Sequence, residues 1–552
     1  MERLAGAGVS PGAGYGPAYV MSGAVQEPAP GTRHDGDPAA EAVRAAAAME
    51  RVAAELEARG EAAGGDAKDV LAAQAMIARD PALSTDVTTL IGAGTAAERA
   101  VFEAFLHYRD ILSGIGGYLG ARVADLDDIR DRVIAELAGV PMPGLPRPAG
   151  RPYVLVARDL APADTALLSP DVVAAFVTEE GGPTGHTAIL ARAMGVPAVV
   201  ACPGAASIAP GTPLLVDGAT GVVRVAPSRE EVTATLRAAR EVVPVMPAAP
   251  APGATSDGHP VALLANIGGP GDVPSALRHG AEGVGLYRTE LLFLDRGEAP
   301  SEEEQIAAYR QVLTAFPGRT VTVRVLDAGA DKPLSFLPPP GREPNPALGR
   351  RGLRVLRAYP DVLAVQLRAL ARAAAGTSAV LRVMAPMVAT AEDASWFAAA
   401  CEEAGLTCAG VMIEVPAAAL RAADIAAVAG FLSVGTNDLA QYAFAADREA
   451  GALAALQDPW QPALLDLVAM AAAAGVPCGV CGEAGADPAL ACVLAGLGVS
   501  SLSMTARALP WVRAALARHT LEQCRAAAAA ARAARTPGEA RAAARDRLPG
   551  LA

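Results

Sequence analysis

Gly181-Gly-Pro-Thr-Gly-His-Thr187 isolates one histidine in a glycine-rich turn ahead of the apolar stretch Ala188-Ile-Leu-Ala-Arg-Ala-Met194. Glycines let a backbone approach a ligand closely, and a helix N-terminus offers unpaired N–H groups that favour anions. His186 is therefore placed to carry a phosphoryl group. The plainer alternative is a histidine that caps or packs the helix. A second candidate group is a pair of carboxylates, Glu414 in Val411-Met-Ile-Glu-Val-Pro416 and Asp438 in Gly435-Thr-Asn-Asp-Leu439. Hard oxygen ligands, few in number and completed by water and substrate, suit Mg2+. Loop caps or salt-bridge partners are the alternative, an awkward one for Glu414, whose carboxylate follows an apolar run and needs a partner.

Four arginines can surround such a metal: Arg288 in Gly285-Leu-Tyr-Arg-Thr-Glu290, Arg324 in Val321-Thr-Val-Arg-Val-Leu326, Arg351 after Asn345-Pro-Ala-Leu-Gly349, and Arg448 in Ala446-Asp-Arg448. Guanidinium forks bind phosphate and carboxylate bidentately. Arg324 is the most constrained, because an arginine inside an apolar strand points inward or must be paired. Surface ion pairs remain the alternative for each, Arg351 and Arg448 above all. With the metal pair, the four describe a site for a small, multiply anionic substrate. Cys478-x-x-Cys481 has the spacing of a redox pair or half a zinc site, but no second pair at knuckle spacing accompanies it. A lone thiol at Cys481 can instead deliver a proton, and a buried core cysteine is the bland reading.

These residues need elements to hold them. After residue 257, strand candidates fall at 261–266, 283–289, 321–327, 380–387, 410–415, 431–438, 477–483 and 499–504, with helical stretches between. Eight such units predict a (β/α)8 TIM barrel, with an open doubly wound sheet as the alternative. Most of the strands end in Asn266, Arg288, Asp327, Pro386-Met387, Glu414, Asn437-Asp438 or Cys481-Gly-Glu483. In a barrel those ends converge on one face, where active sites sit.

The first half of the chain reads differently. Strand-like residues 1–30 precede helical periodicity at 40–57, 66–79, 95–112 and 121–137, broken by glycines and Pro81. Strands return at 154–156, 172–177 and 214–216. This predicts an α/β domain made of 1–34 and 138–226, with a helical bundle inserted at 35–137. Ser228 and Glu231 form a capping-box signature for a helix over 230–241, and the Pro-rich run 244–252 reads as a semi-stiff linker. Residues 227–256 thus form a connection that makes relative motion plausible. The barrel occupies 257–552 and ends in an alanine-rich helix over 521–535.

Net charge −13 and a pI near 5.1 argue against a nucleic-acid surface. Seven cysteines, few and odd in number, suit reduced thiols in a cytoplasm. The uncharged runs 193–216 and 488–506 are broken by Pro, Gly or Ser, so no membrane span is expected, and the first twenty residues do not read as a secretory signal.

Taken in order, these motifs resemble enzyme I of the phosphoenolpyruvate-dependent sugar phosphotransferase system. The likeness covers nearly the whole chain: Val9-Ser-Pro-Gly12, the histidine segment, Ala281-Glu-Gly-Val-Gly-Leu-Tyr-Arg-Thr-Glu290, Asn345-Pro, Gly435-Thr-Asn-Asp-Leu439 with Gln441-Tyr442, and Cys481-Gly-Glu483. The resemblance implies that His186 takes a phosphoryl group from phosphoenolpyruvate on its distal ring nitrogen. It then passes the group to a histidine of the carrier HPr, docked on the helical insert. It also implies Arg288, Arg324, Asn437, Asp438 and Arg448 around phosphoenolpyruvate, Glu414 and Asp438 on Mg2+, and Cys481 as proton donor. By the same likeness Thr165 contacts the histidine, and the barrel forms a homodimer. Two positions depart from the family pattern: Pro183 stands where arginine is common, and Gly185 where serine or cysteine is common. Phosphoenolpyruvate synthases and pyruvate phosphate dikinases share a similar phosphohistidine domain and barrel but need a large additional ATP-binding domain. A plain metal-dependent aldolase barrel leaves the N-terminal half unused.

Overall fold

A computed structural model describes the chain except residues 1–2, 11, 22–24, 26, 64, 116–122, 141–151, 159, 161–167, 169–171, 182–186, 189–190, 192–193, 243–250, 295, 330–333, 335, 338–342, 448–450 and 552. His186, Thr165, Pro183, Gly185, Arg448 and most of the expected linker therefore lie outside the described residues. The chain forms two compact units, Met1–Arg240 and Glu241–Ala552.

In the first unit, strands β1 (Arg3–Ala5), β2 (Ala7–Ser10), β3 (Ala13–Val20), β4 (Tyr153–Ala157), β5 (Val173–Thr178), β6 (Ala198–Val200), β7 (Pro213–Asp217) and β8 (Val222–Val225) form one sheet in the order β1-β8-β7-β3-β4-β5-β6-β2. The centre, β3-β4-β5-β6, is parallel, and the flanking pairs are antiparallel. β4 reads Tyr-Val-Leu-Val-Ala without alternation because both faces are covered. Leu155 and Phe176 face one apolar cluster, and Val154, Val156 and Val177 face another. Of the segment following His186, Thr187, Ala188, Ala191 and Met194 are helical.

The insert contains helices Pro38–Ala63, Gly65–Ala78, Pro81–Gly92, Ala97–Ile115 and Val123–Ala138. The helix Pro81–Gly92 was not expected, because Pro81 reads as a breaker. Asp80 instead caps this helix, accepting from the N–H groups of Ala82 and Leu83, and proline in the first turn initiates it. Val52, Leu56, Ile91, Val101, Phe105, Ile129 and Val133 share its core. The expected capping box is present: Ser228 N–H donates to Glu231 at 2.8 Å and Glu231 N–H to the Ser228 hydroxyl at 3.2 Å, opening the helix Arg229–Val242.

The second unit is the expected closed barrel. Strands β9 (Ala262–Ile267), β10 (Val284–Arg288), β11 (Thr320–Arg324), β12 (Val380–Ala385), β13 (Ala409–Ile413), β14 (Leu432–Val434), β15 (Cys478–Val480) and β16 (Ser501–Met504) pair in parallel in chain order, and β16 closes onto β9. The C-terminal strand ends differ from expectation. β14 stops at Val434, and Asn437 and Asp438 lie in the first turn of the helix Thr436–Ala443 rather than on the strand. Polar Thr436-Asn-Asp438 follows Gly435, a combination that favours starting a helix over continuing a ladder. Among the described residues no helix is long and apolar enough to cross a membrane.

The alanine-rich C-terminus forms the helix Leu521–Arg532, opened by a Thr520/Gln523 capping box. It buries Cys524, Ala527, Ala528 and Ala531, and it packs on the helix Pro488–Gly496. The approach is close enough that a Cβ at Gly496 would collide with the backbone carbonyl of Cys524. Gly496→Ala is expected to lose about 1–3 kcal/mol in denaturant unfolding, because a neighbouring backbone cannot step aside. An unchanged midpoint would show that the two helices can separate freely.

Candidate active site

Barrel closure gathers polar residues from five segments at the C-terminal ends of the strands. Arg324 ends β11, and its guanidinium pairs with Glu290, just past β10, and with Asp327 at 3.2 Å. Asp327, fully buried, in turn holds Arg351 through bonds of 3.1 and 3.3 Å. Arg351 continues to Asp438, again bidentately, at 3.0 and 3.1 Å. Tyr442, on the same helix as Asp438, accepts from Arg351 at 3.4 Å and donates to the Ala347 carbonyl at 2.5 Å. The sequence thus places alternating acids and bases on neighbouring segments, and closure converts them into one buried chain of charge.

Local structure fixes each member. Arg351 precedes Gly352, whose φ of +57° and ψ of −124° suit glycine alone, and a Cβ there would press on Met387 and Asp327. Below Arg324, Gln366 bonds the Leu326 N–H and the hydroxyls of Thr289 and Tyr309, while Thr289 donates to the Arg324 carbonyl. Glu414 follows β13 directly and accepts the Met387 N–H at 2.6 Å. Met387 itself has φ of +57°, a strained conformation that this carboxylate helps to hold.

Counted together, Glu290, Asp327, Glu414 and Asp438 supply four carboxylates against the two guanidiniums of Arg324 and Arg351, an excess of two negative charges if all ionise. Every member is at most 7% exposed. Burial first, and the charges of Asp438 and Asp327 next, push the Glu414 carboxyl up to about 8. Both guanidiniums are held far above their usual range by the carboxylates, against burial. Three buried polar atoms lining this region, Arg324 Nε, Glu290 Oε2 and Thr436 Oγ1, have no hydrogen-bond partner among the described residues. Excess negative charge and orphaned atoms are what a divalent cation with an oxyanion would satisfy, so Glu414 and Asp438 fit a metal. Among the described residues no three acidic, histidine or cysteine side chains form a complete cage, which is consistent with a site finished by substrate and water.

Cys481 lies one residue past β15, 3% exposed, its thiol directed at the Val434 carbonyl at 3.6 Å. Burial raises its pKa. Cys478 faces the outer core with Val480, whereas Cys481 faces the barrel interior with Leu286, Met384, Met412 and Phe431, so the two are not a pair. Asn437 accepts the Glu483 N–H at 3.2 Å, tying the Cys481-Gly-Glu483 turn to the Asp438 helix. Arg288 stands exposed at the end of β10, near enough to Cys481 to act on its charge.

The structure therefore brings together Arg324, Arg351, Glu414, Asn437, Asp438 and Cys481, with Arg288 at the rim. Sequence reasoning noted Asp327 only as a strand-end group and Glu290 and Tyr442 only as motif letters. Their part in the charge network had one sequence signal: an acid three residues after Arg324 and another two after Arg288.

Comparisons with known proteins agree with this architecture. Residues 5–122, 150–221 and 247–521 match in turn the N-terminal, mobile and PEP-binding domains of the PEP-utilising enzymes, where PEP is phosphoenolpyruvate. A barrel with this rim and that domain order define the class of PEP-utilising enzymes. A phosphoenolpyruvate-protein phosphotransferase of Streptomyces coelicolor is 61% identical over 553 residues, 99% of each chain. Those of Haloferax volcanii and Bacillus subtilis are 40% and 36% identical, covering 86% and 92% of this chain and 86% and 93% of theirs. The chain belongs to the phosphoenolpyruvate-protein phosphotransferase family.

The raised Glu414 pKa has a thermodynamic consequence. The native metal-free protein keeps a proton that the unfolded chain releases near 4.5, so stability falls as pH rises from there to about 8. Glu414→Gln should flatten that slope, worth a few kcal/mol across the window, in urea unfolding with chelator present. Parallel slopes for the two proteins would refute the assignment.

Proposed function

We propose that this chain takes the phosphoryl group of phosphoenolpyruvate onto His186 and passes it to a histidine of the phosphocarrier HPr, releasing pyruvate. The observation that carries the reading is the buried rim of Glu414, Asp438, Arg324 and Arg351, with Cys481 beneath it, in a chain of this family. Phosphoryl transfer needs positioning and charge stabilisation more than covalent work by the site. Arg288, exposed and without an ion-pair partner among the described residues, is available to an incoming phosphate, and Arg324 offers its Nε, which has no partner among those residues. Arg351 binds substrate from its seat between Asp327 and Asp438, and Arg448 and Asn437 complete the shell. Mg2+, held by Glu414 and Asp438, supplies neutralisation at the phosphate and carboxylate oxygens.

His186 is the nucleophile, supported by Thr165. The enolate left behind takes a proton at carbon from Cys481. The raised pKa of that thiol keeps it protonated at neutral pH, the form an acid catalyst requires. The insert over 35–137 docks the carrier, 1–34 with 138–226 holds the histidine, 227–256 connects, and 257–552 binds phosphoenolpyruvate. The protein acts in the cytoplasm as a homodimer through the barrel. Exposed Leu420 and Met470, on neighbouring barrel helices, are apolar surface of the kind such a dimer covers.

With radioactive phosphoenolpyruvate and Mg2+, the protein should acquire acid-labile, base-stable label that moves on to added HPr. His186→Ala should take up none. Cys481→Ser should slow pyruvate release by roughly 100-fold or more while phosphoenolpyruvate still binds. Label on His186→Ala, or none on the folded parent, would overturn the reading.

A further inference from the structure

The opposite end of the barrel holds a feature that phosphotransfer does not use. Leu286, Met384, Met412, Phe431 and Cys481 form an apolar layer across the lumen. On the N-terminal side of that layer is a polar cavity of about 30 Å³, lined among others by Arg382, Thr322, Ser433, Ser501, Ser503 and Phe431. Its walls come from the early part of the strands: Thr322 pairs with Arg382 in mid-strand, and Phe431 precedes β14.

Arg382 is half-buried, its guanidinium 5.3 Å from the centre of the Phe431 ring, and its Nε is buried with no hydrogen-bond partner among the described residues. Among the described lining residues none is acidic. An arginine inside a barrel without a carboxylate is costly unless something anionic or water meets it. The neighbouring strands are shaped to bring hydroxyls in. Gly285 and Gly479 lie where a Cβ would sit 2.5 Å from the hydroxyls of Ser503 and Ser501 respectively. One guanidinium, several hydroxyl groups and an aromatic ring in a space near the size of a single water or halide describe an anion site.

We propose that this cavity binds a small monovalent inorganic anion, chloride in the simplest case, with Arg382 as its cation and Thr322, Ser433 and Ser501 as hydroxyl donors; Ser503 lines it but donates to Asn266. The anion joins β11, β12, β14 and β16 at the face of the barrel whose residues serve stability rather than chemistry. The proposal does not rest on the phosphotransfer reading or on the carboxylates at the other rim, although Ser433 also lies within hydrogen-bonding reach of the Cys481 thiol.

Bromide serves as the probe. Crystals of the full chain soaked in sodium bromide should show an anomalous peak in the cavity, and crystals of Arg382→Gln should lack it while keeping any peaks at the other rim. In solution, replacing gluconate by chloride at constant ionic strength should raise the Tm of the parent by a few degrees more than that of Arg382→Gln. Ser433→Ala, which leaves the guanidinium in place, should show an intermediate rise and guards against a folding defect in the first variant. Absence of the peak from the parent, its persistence in Arg382→Gln, or equal chloride responses in all three proteins would overturn the proposal.

Discussion

Arg351 sits fully buried between two carboxylates, and the geometry of the rim depends on that exchange of charge. Buried ions are costly to desolvate, and they persist only where geometry supplies several charge-assisted bonds at once. Here Arg351 makes four such bonds, two to Asp327 and two to Asp438. Asp327 and Asp438 come from different segments, so the guanidinium acts as a clamp between the end of β11 and the helix after β14. Arg324 repeats the arrangement one layer inward, joining Asp327 to Glu290. Removing either arginine would leave uncompensated carboxylates in the interior, and the rim would have no reason to keep its shape.

The same network explains why the site is negative before anything binds. Four acids and two bases are poorly balanced by themselves, and the Glu414 carboxyl registers the imbalance most strongly. A site built this way favours a divalent cation, and through it an anionic substrate, while exposed Arg288 remains at the rim. The strained Met387 belongs to the same arrangement, since its N–H is aimed at Glu414 by a backbone conformation that a free chain would avoid.

Beneath the rim, two methionines, a cysteine, a leucine and a phenylalanine separate the charged end of the barrel from its hydroxyl-lined end. Flexible and polarisable side chains fill such an irregular space well. Arg324 touches this layer through Met412, at 3.7 Å from its sulfur, so the charged and apolar layers are in direct contact. The first unit is held by other means: a sheet covered on both faces and an insert whose helices share one core.

Hydrophobic periodicity and turn residues by themselves determined the eight barrel strands, four of the insert's helices and the capping box at Ser228, because these are local properties of backbone and side chain. The motifs likewise placed Arg324, Glu414, Asp438 and Cys481 near strand ends, since an apolar run that stops at a polar group is visible in one dimension. Local reading failed where two signals compete, as at Pro81, which starts a helix, and at Asn437-Asp438, which leave the strand for one. The partners were decided only by tertiary structure. Asp327 and Asp438 meet on Arg351, Glu414 meets Met387, and Arg382 meets no carboxylate among the described residues, because barrel closure sets which strand ends face one another. The strength of those charges depends on burial, a property that no single residue carries in its letter.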